Sequence, residues 1–340
     1  MKRMIFIEPG RLEWEDCRAP EIQAEEQAIV RPLVMGRCDL DTLYVNGLMP
    51  LASGEPIGHE IIGEIVDLGG EAARSFSIGE RVMVAAQISC GACRQCLANQ
   101  TGRCEKVPFG ASFGMGREGS YGGGVSERVR VPFANAMLRK VPRNAELTSM
   151  IGLVDMAADA WRAVGPQLSR MPGGTVLVVG AAVPVISIYA AGLAVALKAS
   201  RTVYVDPDRE RRQIAVNYGA EAVASLEEVS DPPFDIIVDA AMNAGHLAKA
   251  FELCGPAAQM TSIAPPFVSP ELPLVAAYGK GLDWSIGRPN CAFGQRHALE
   301  TWACCGFDPQ KVGPKLFEFD EAPEAWVSQS LYAAVVATDV

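Results

Sequence analysis

The sequence predicts an α/β protein in which a β-rich domain accompanies a doubly wound parallel-sheet domain. Three observations support this. TVLVVG (175–180) is a continuous apolar run, as expected of a parallel strand buried on both faces. A helical stretch follows it and leads to a second strand, TVYVD (202–206). Further on, the helical pattern DRERRQIAVNYGA (208–220), closed by its glycine, precedes another apolar run, DIIVDAA (235–241), so strand and helix alternate. The first 145 residues read differently. Short Val/Ile-rich runs, QAIVRPLV, HEIIGEIVDLG, ERVMVAAQ and SERVRVPF, are separated by Gly and Pro, and few helical periods interrupt them. After about residue 288 the pattern is again less regular, with a last helix around DEAPEAWVSQ. These changes predict a discontinuous β-rich domain, 1–148 with 289–340, and a doubly wound domain over 149–288.

A chain of 340 residues is long enough for two cores. It is 49% hydrophobic and 21% charged, ordinary for a globular protein. A net charge of −10 argues against nucleic acid and anionic membrane as partners, because both call for clustered Lys and Arg. The opening MKRMIFIEPG has too short an apolar segment for a signal peptide. The longest apolar stretch, VPVISIYAAGLAVALKAS, follows a strand and ends at Lys198, so no membrane span is expected. The expected location is the cytoplasm, where close cysteines are metal ligands or redox thiols more often than structural disulfides.

Four of the ten cysteines lie in SCGACRQCLANQTGRC (89–104), at Cys90, Cys93, Cys96 and Cys104. Pairs two residues apart let thiolates converge on one ion, and four sulfurs complete a closed tetrahedral zinc site. A redox CxxC needs only two thiols, and an iron–sulfur run wants a different spacing to its fourth cysteine and a proline after it. Zinc is therefore the expected ligand of the loop 89–105. A closed site has no position open to substrate, so its role is structural.

Chemistry at a metal needs three protein ligands and a vacancy. Candidates are Cys38 in MGRCDLD, His59 in PIGHEIIGE and Asp155 in GLVDMAADAW. Taken singly, a cysteine is most often a small buried hydrophobe and an aspartate before an apolar stretch a helix cap. The ordered set GRCDLD, GHEIIGEIVDLG, GERV, CxxCxxCx7C and TVLVVG…VYVDPD, however, resembles the zinc-dependent medium-chain alcohol dehydrogenase superfamily over nearly the whole chain. The resemblance implies a GroES-like catalytic domain with a Rossmann domain, two zinc ions per chain, and Cys38, His59 and Asp155 as ligands of the catalytic one. It also implies Asp41 as the acid that orients the histidine, and Glu60 as a residue that tunes or reaches the open position. One thiolate and one carboxylate together neutralise Zn²⁺.

The nucleotide end is less regular. A dinucleotide turn wants G-x-G-x-x-G, whereas this chain has Gly180, then Ala182 and Val185 at the second and third places. Asp206 closes the second strand at the distance expected for a ribose 2′-hydroxyl, which predicts NAD over NADP; Arg209, Arg211 and Arg212 just beyond it temper that preference.

The implied reaction is reversible oxidation of an alcohol, with zinc lowering the pKa of the hydroxyl and the nicotinamide accepting hydride. Leu40 and Leu43 stand where the family carries proton-relay residues, and an apolar side chain carries no proton. This directs the expectation toward a secondary alcohol, polyol or cyclitol and away from a simple primary alcohol. The alternative is a non-catalytic, zinc-stapled nucleotide sensor or scaffold. A homodimer or homotetramer is implied, acting on a small molecule. Cys304 and Cys305 read as buried hydrophobes, and His246 and His297 carry no assigned role.

Overall fold

The computed structural model describes residues 1–116, 119 and 121–337. The chain divides into two units. One comprises Met1–Asp155, Asn290–Arg296 and Gly313–Val340; the other comprises Met156–Pro289 and His297–Val312. In chain order the first contributes β1 (Lys2–Glu8), β2 (Arg11–Asp16), β3 (Ala28–Gly36), β4 (Glu60–Leu68), β5 (Arg81–Val84), β6 (Val129–Val131) and β7 (Leu138–Lys140). The second contributes β8 (Thr175–Val179), β9 (Arg201–Val205), β10 (Glu221–Val223), β11 (Phe234–Asp239), β12 (Cys254–Ser262) and β13 (Asp283–Ile286). The chain then returns to the first with β14 (Lys315–Glu318) and β15 (Ala333–Val336).

In the first unit the sheet order is β14-β15-β3-β4-β5-β7, with β6 also paired to β3. β3 is buried along almost its whole length, which explains a sequence with little polar alternation. It tolerates Pro32 because the β3–β4 register shifts between Pro32 and Val34, so the missing donor coincides with an irregularity. The register pairs Gly36 at the end of β3 with Glu60 at the start of β4. The segments that follow β3 and precede β4 therefore meet at one end of the sheet. Arg37, just past β3, is buried; its Nη1 donates to the carbonyls of Ala325, Trp326 and Ser328 at 3.1, 3.1 and 2.7 Å, and its Nη2 donates to that of Ser330. This ties the end of β3 to the segment leading into β15.

The second unit holds a six-stranded sheet in the order β10-β9-β8-β11-β12-β13, and every pairing is parallel. The order reverses beside β8, which is where a doubly wound sheet opens a crevice at its carboxyl edge. The helix Pro184–Ala196 after β8 begins with proline in its first turn, where a missing N–H costs nothing. Ten of its thirteen residues are buried, which accounts for its apolar composition on every face. The next helix, Arg209–Tyr218, is capped by the Asp208 carboxylate accepting the Arg211 N–H at 2.9 Å, and it stops at Gly219.

The stretch His297–Val312 packs with this second unit through aromatic contacts. His297 stacks on Trp161 at 4.3 Å, and Phe307 sits between Tyr189 and Tyr218. The hydroxyls of those tyrosines donate to the carbonyls of Pro309 and Asp308. The reading of Cys304 and Cys305 as buried is corrected: Cys304 is exposed and Cys305 half-buried, at the last turn of the helix Cys291–Cys305. Among the described residues, no helix is long and apolar enough to cross a membrane.

Candidate metal centre and nucleotide-binding turn

Cys38, His59 and Asp155 converge. One ligand atom from each lies within 4.8 Å of the others, and all three residues are buried. Cys38 follows β3, His59 precedes β4, and Asp155 closes the first stretch of the unit, just after the turn Ile151–Leu153. The Cys38 Sγ is 3.5 Å and the His59 Nε2 3.4 Å from the Asp155 Oδ2. Those separations match the edges of a tetrahedron with zinc-type bonds, about 3.3–3.8 Å. Neither ring nitrogen of His59 has a hydrogen-bond partner although the ring is fully buried. A buried imidazole left this way costs free energy unless something else takes its lone pair. A cation between the three side chains satisfies that requirement, so the residues present fit a zinc ion.

Asp41 ties two of these residues together. Its Oδ2 accepts the Cys38 N–H at 3.1 Å, and its Oδ1 lies 3.5 Å from the His59 Nδ1. It does so from the first turn of the short helix Asp39–Val45, for which Cys38 is the cap. Burial pushes the Asp41 carboxyl up to about 6, against the lowering effect of His59 and the Cys38 amide. Burial would also raise Asp155, but the neighbouring His59 and hydrogen bonds from the Cys291 and Cys38 thiols hold its carboxyl below the ordinary range. Glu60, fully buried, accepts a hydrogen bond from the Tyr332 hydroxyl at 2.8 Å. A side chain at Gly36 would stand 2.3 Å from the Glu60 carboxylate and 2.6 Å from that hydroxyl, so it would push this hydrogen-bonded pair out of place.

Cys90, Cys93, Cys96 and Cys104 likewise gather within ligand distance. Backbone amides point at their sulfurs: Cys93 to the Cys90 Sγ at 3.3 Å, Cys90 and Lys106 to the Cys104 Sγ at 3.4 Å each, and Glu105 to the Cys93 Sγ at 3.4 Å. Burial opposes ionisation of Cys93, yet the amides of Glu105 and Cys96 bring its thiol down to about 6. Amide donors directed at sulfur favour thiolates, the form that binds metal.

At the nucleotide end, Gly180 follows β8. A Cβ there would lie 2.8 Å from the Tyr204 hydroxyl and 2.9 Å from the Asp206 Oδ2. The first glycine of the fingerprint thus keeps a steric reason. Ala181 next to it is held at φ +106°, a conformation an L side chain rarely adopts. Ala182 is half-buried, and Val185 is buried where a third glycine would let helix and strand approach. Asp206 is fully buried at the end of β9. Its Oδ2 accepts the Tyr204 hydroxyl at 2.8 Å, and its Oδ1 accepts the Asp208 N–H at 2.9 Å and lies 3.0 Å from the Arg211 guanidinium. Arg211 also donates to the Ala181 carbonyl at 3.2 Å, which joins the turn to the acid. The sheet order, Gly180 and Asp206 fit a dinucleotide; Ala182 and Val185 make the turn bulkier than the fingerprint.

A family model of the alcohol dehydrogenase GroES-like domain matches residues 24–143. A zinc-type alcohol dehydrogenase B of Aspergillus flavus is 28% identical over 229 residues, covering 65% of this chain and 51% of that protein. A glutathione-independent formaldehyde dehydrogenase of Pseudomonas aeruginosa is 29% identical over 262 residues, covering 70% of this chain and 64% of that one. The chain thus spans between half and two thirds of the length of these curated relatives. Among solved structures, the alcohol dehydrogenase TADH from Thermus sp. ATN1 superposes with a TM-score of 0.87 at 25% identity, over 99% of this chain and 100% of that one. Residues 24–143 thus match the alcohol dehydrogenase GroES-like family, and the chain as a whole is similar to zinc-type alcohol dehydrogenases in sequence and fold.

The chain combines the GroES-like domain with a parallel sheet of the Rossmann type. Two residues that support the candidate metal centre carry no sequence signal. Cys291 donates to the Asp155 Oδ1 at 2.8 Å and Tyr332 holds Glu60, across sequence separations of 136 and 272 residues. Neither stands in a motif; only the folded return of the chain reveals them.

Proposed function

We propose that the protein is a zinc-dependent oxidoreductase that reversibly oxidises the hydroxyl of a secondary alcohol, polyol or cyclitol, with a nicotinamide dinucleotide as hydride acceptor. The convergence of Cys38, His59 and Asp155 around an imidazole without a hydrogen-bond partner carries this reading. When bound, zinc supplies Lewis acidity toward the substrate oxygen, and the nicotinamide supplies the hydride acceptor.

The chain's own residues do the rest. Cys38, His59 and Asp155 would hold the ion, and Cys90, Cys93, Cys96 and Cys104 a second, structural one. Asp41 fixes the position of Cys38 and faces the far nitrogen of His59. Glu60 stands next to His59 in the chain, its carboxylate held by Tyr332. The turn from Gly180 through Ala182 to Val185, with Asp206 and Arg211, would hold the dinucleotide. Asp206 favours a ribose with a free 2′-hydroxyl, hence NAD over NADP, while its pairing with Arg211 moderates the repulsion of a 2′-phosphate. Leu40 is half-buried against the core and moves no proton. A substrate with a neighbouring hydroxyl brings its own route for the proton, which is why the polyol and cyclitol classes are favoured. A homo-oligomer fits the second unit's exposed apolar residues, which include Leu274, Val275 and Tyr278, together with the exposed edge strand β13.

Metal analysis combined with a screen of secondary alcohols, polyols and cyclitols for NADH and NADPH production tests this. The expected result is two zinc ions per chain, turnover on one of these classes, and loss of at least about a thousandfold in kcat/KM for Asp155→Ala with the four-cysteine zinc retained. One zinc per chain and no turnover across the panel overturns it.

A further inference from the structure

We propose that Cys291 is a positioning residue for the third metal ligand: its thiol holds Asp155 so that a single carboxylate oxygen faces the ion. This inference rests on the zinc reading above and adds a residue that reading does not use. The two oxygens of Asp155 have different surroundings. Oδ2 faces the Cys38 Sγ at 3.5 Å and the His59 Nε2 at 3.4 Å. Oδ1 accepts the Cys291 thiol at 2.8 Å. Cys291 is fully buried, and its main chain is fixed as well, because its N–H donates to the buried Gln87 Oε1 at 3.1 Å.

The neighbouring residues anchor the same turn of chain. Gly102 donates to the Asn290 Oδ1 at 3.1 Å, and Gln295, one helical turn on, donates to the carbonyl of Val154 at 3.2 Å. Both ends of the Cys291–Asp155 contact are therefore held: the residue before Asp155 by Gln295, and Cys291 itself by Gln87. A buried cysteine serving only as a small hydrophobe would face apolar atoms. This one faces the outer oxygen of a carboxylate. It is also not one of the ligand set, because the described groups that converge within 4.8 Å are Cys38, His59 and Asp155.

A carboxylate can bind a metal through one oxygen or swing to use both. A donor fixed on Oδ1 holds the carboxylate's rotation and leaves Oδ2 as the ligand atom. The ion then keeps three protein atoms and one free position, the arrangement a catalytic zinc requires. A thiol suits this place because it donates one weak hydrogen bond without bringing charge into a fully buried site.

Cys291→Ala and Cys291→Ser, prepared as full chains in zinc-loaded and cobalt-substituted forms, test the role. In Cys291→Ala, zinc should leave the Cys38–His59–Asp155 site 10- to 100-fold more readily under chelator competition, while the four-cysteine zinc stays in place. The cobalt form should show the weaker visible absorption of a higher coordination number. Cys291→Ser restores a donor and should recover most of both properties. If the parent binds two zinc ions and Cys291→Ala matches it in zinc retention and cobalt spectrum, the positioning role is wrong. If Cys291→Ala loses sulfur-to-cobalt charge-transfer intensity, Cys291 is itself a ligand and the role is equally wrong. A parent that binds a single zinc removes the zinc reading, and the role of Cys291 with it.

Discussion

Asp41 shows how much the candidate metal centre depends on single side chains outside the converging set of Cys38, His59 and Asp155. It touches the chain at Cys38 and faces His59, and it is fully buried. Asp41→Asn keeps the shape and an acceptor for the Cys38 amide but turns an NH₂ group toward the imidazole. That favours the tautomer with its proton on Nε2, the atom needed for metal. A 10- to 100-fold loss of zinc affinity at this site is expected, read by chelator competition with the four-cysteine zinc as internal control. An unchanged affinity would show that Asp41 does not set the imidazole. At this scale the sequence was legible where motifs are short. The four-cysteine loop suggests its chemistry by residue type and spacing alone, whereas Cys38, His59, Asp155 and Asp41 stood out only through the resemblance of the ordered motifs to a known family. Cys291 and Tyr332 were not legible, because a thiol or a hydroxyl acquires its role only from the partner that folding places beside it. Cys304 and Cys305 were misread for the same reason: an adjacent pair in an apolar context does not say which way a helix faces.

Among elements, the β3–β4 register does the positioning. Pairing Gly36 with Glu60 places Cys38 and His59 at the same end of the sheet, and the absence of a side chain at Gly36 leaves room for the Glu60–Tyr332 hydrogen bond. In the other sheet, the strands β8, β9 and β11 were evident from their apolar runs. The exposed β13 had no comparable signal, since burial is what makes a parallel strand apolar. β11 ends on Asp239, a buried carboxylate whose Oδ2 has no hydrogen-bond partner. Burial pushes it up to about 6, only partly opposed by Ser262 and the Ala241 amide. A carboxyl raised in the folded state contributes its full stability below the unfolded value near 4, and that contribution is lost as pH rises through about 6. The rise from 3.8 to about 6 corresponds to about 3 kcal/mol. Asp239→Asn removes the titration, so its melting temperature relative to the parent should climb between pH 4 and pH 8. A difference that stays flat with pH would show that Asp239 does not titrate in this range.

For the molecule as a whole, the second unit's exposed face is the feature the fold leaves unexplained. Val275 and Tyr278 are 87% and 88% exposed, and every residue of the edge strand β13 is exposed. Apolar side chains beside an unpaired strand edge form a surface that invites pairing with another chain. If a second copy covers it, Val275→Glu with Tyr278→Glu should convert the oligomer to monomer in light scattering while zinc content is retained. A mass unchanged by both substitutions would place the interface elsewhere.

The return of the chain to the first unit has a consequence for biosynthesis. Cys291, the carbonyls that clamp Arg37, and Tyr332 all belong to segments made after the second unit's sheet. A ribosome that has reached residue 289 has made Cys38, His59, Asp155 and their neighbour Asp41, but not Cys291, Tyr332 or the carbonyls that clamp Arg37. On the function proposed above, a catalytic ion would reach its final affinity only after synthesis of β15, whereas the four-cysteine loop has all its sulfurs from residue 104 onward.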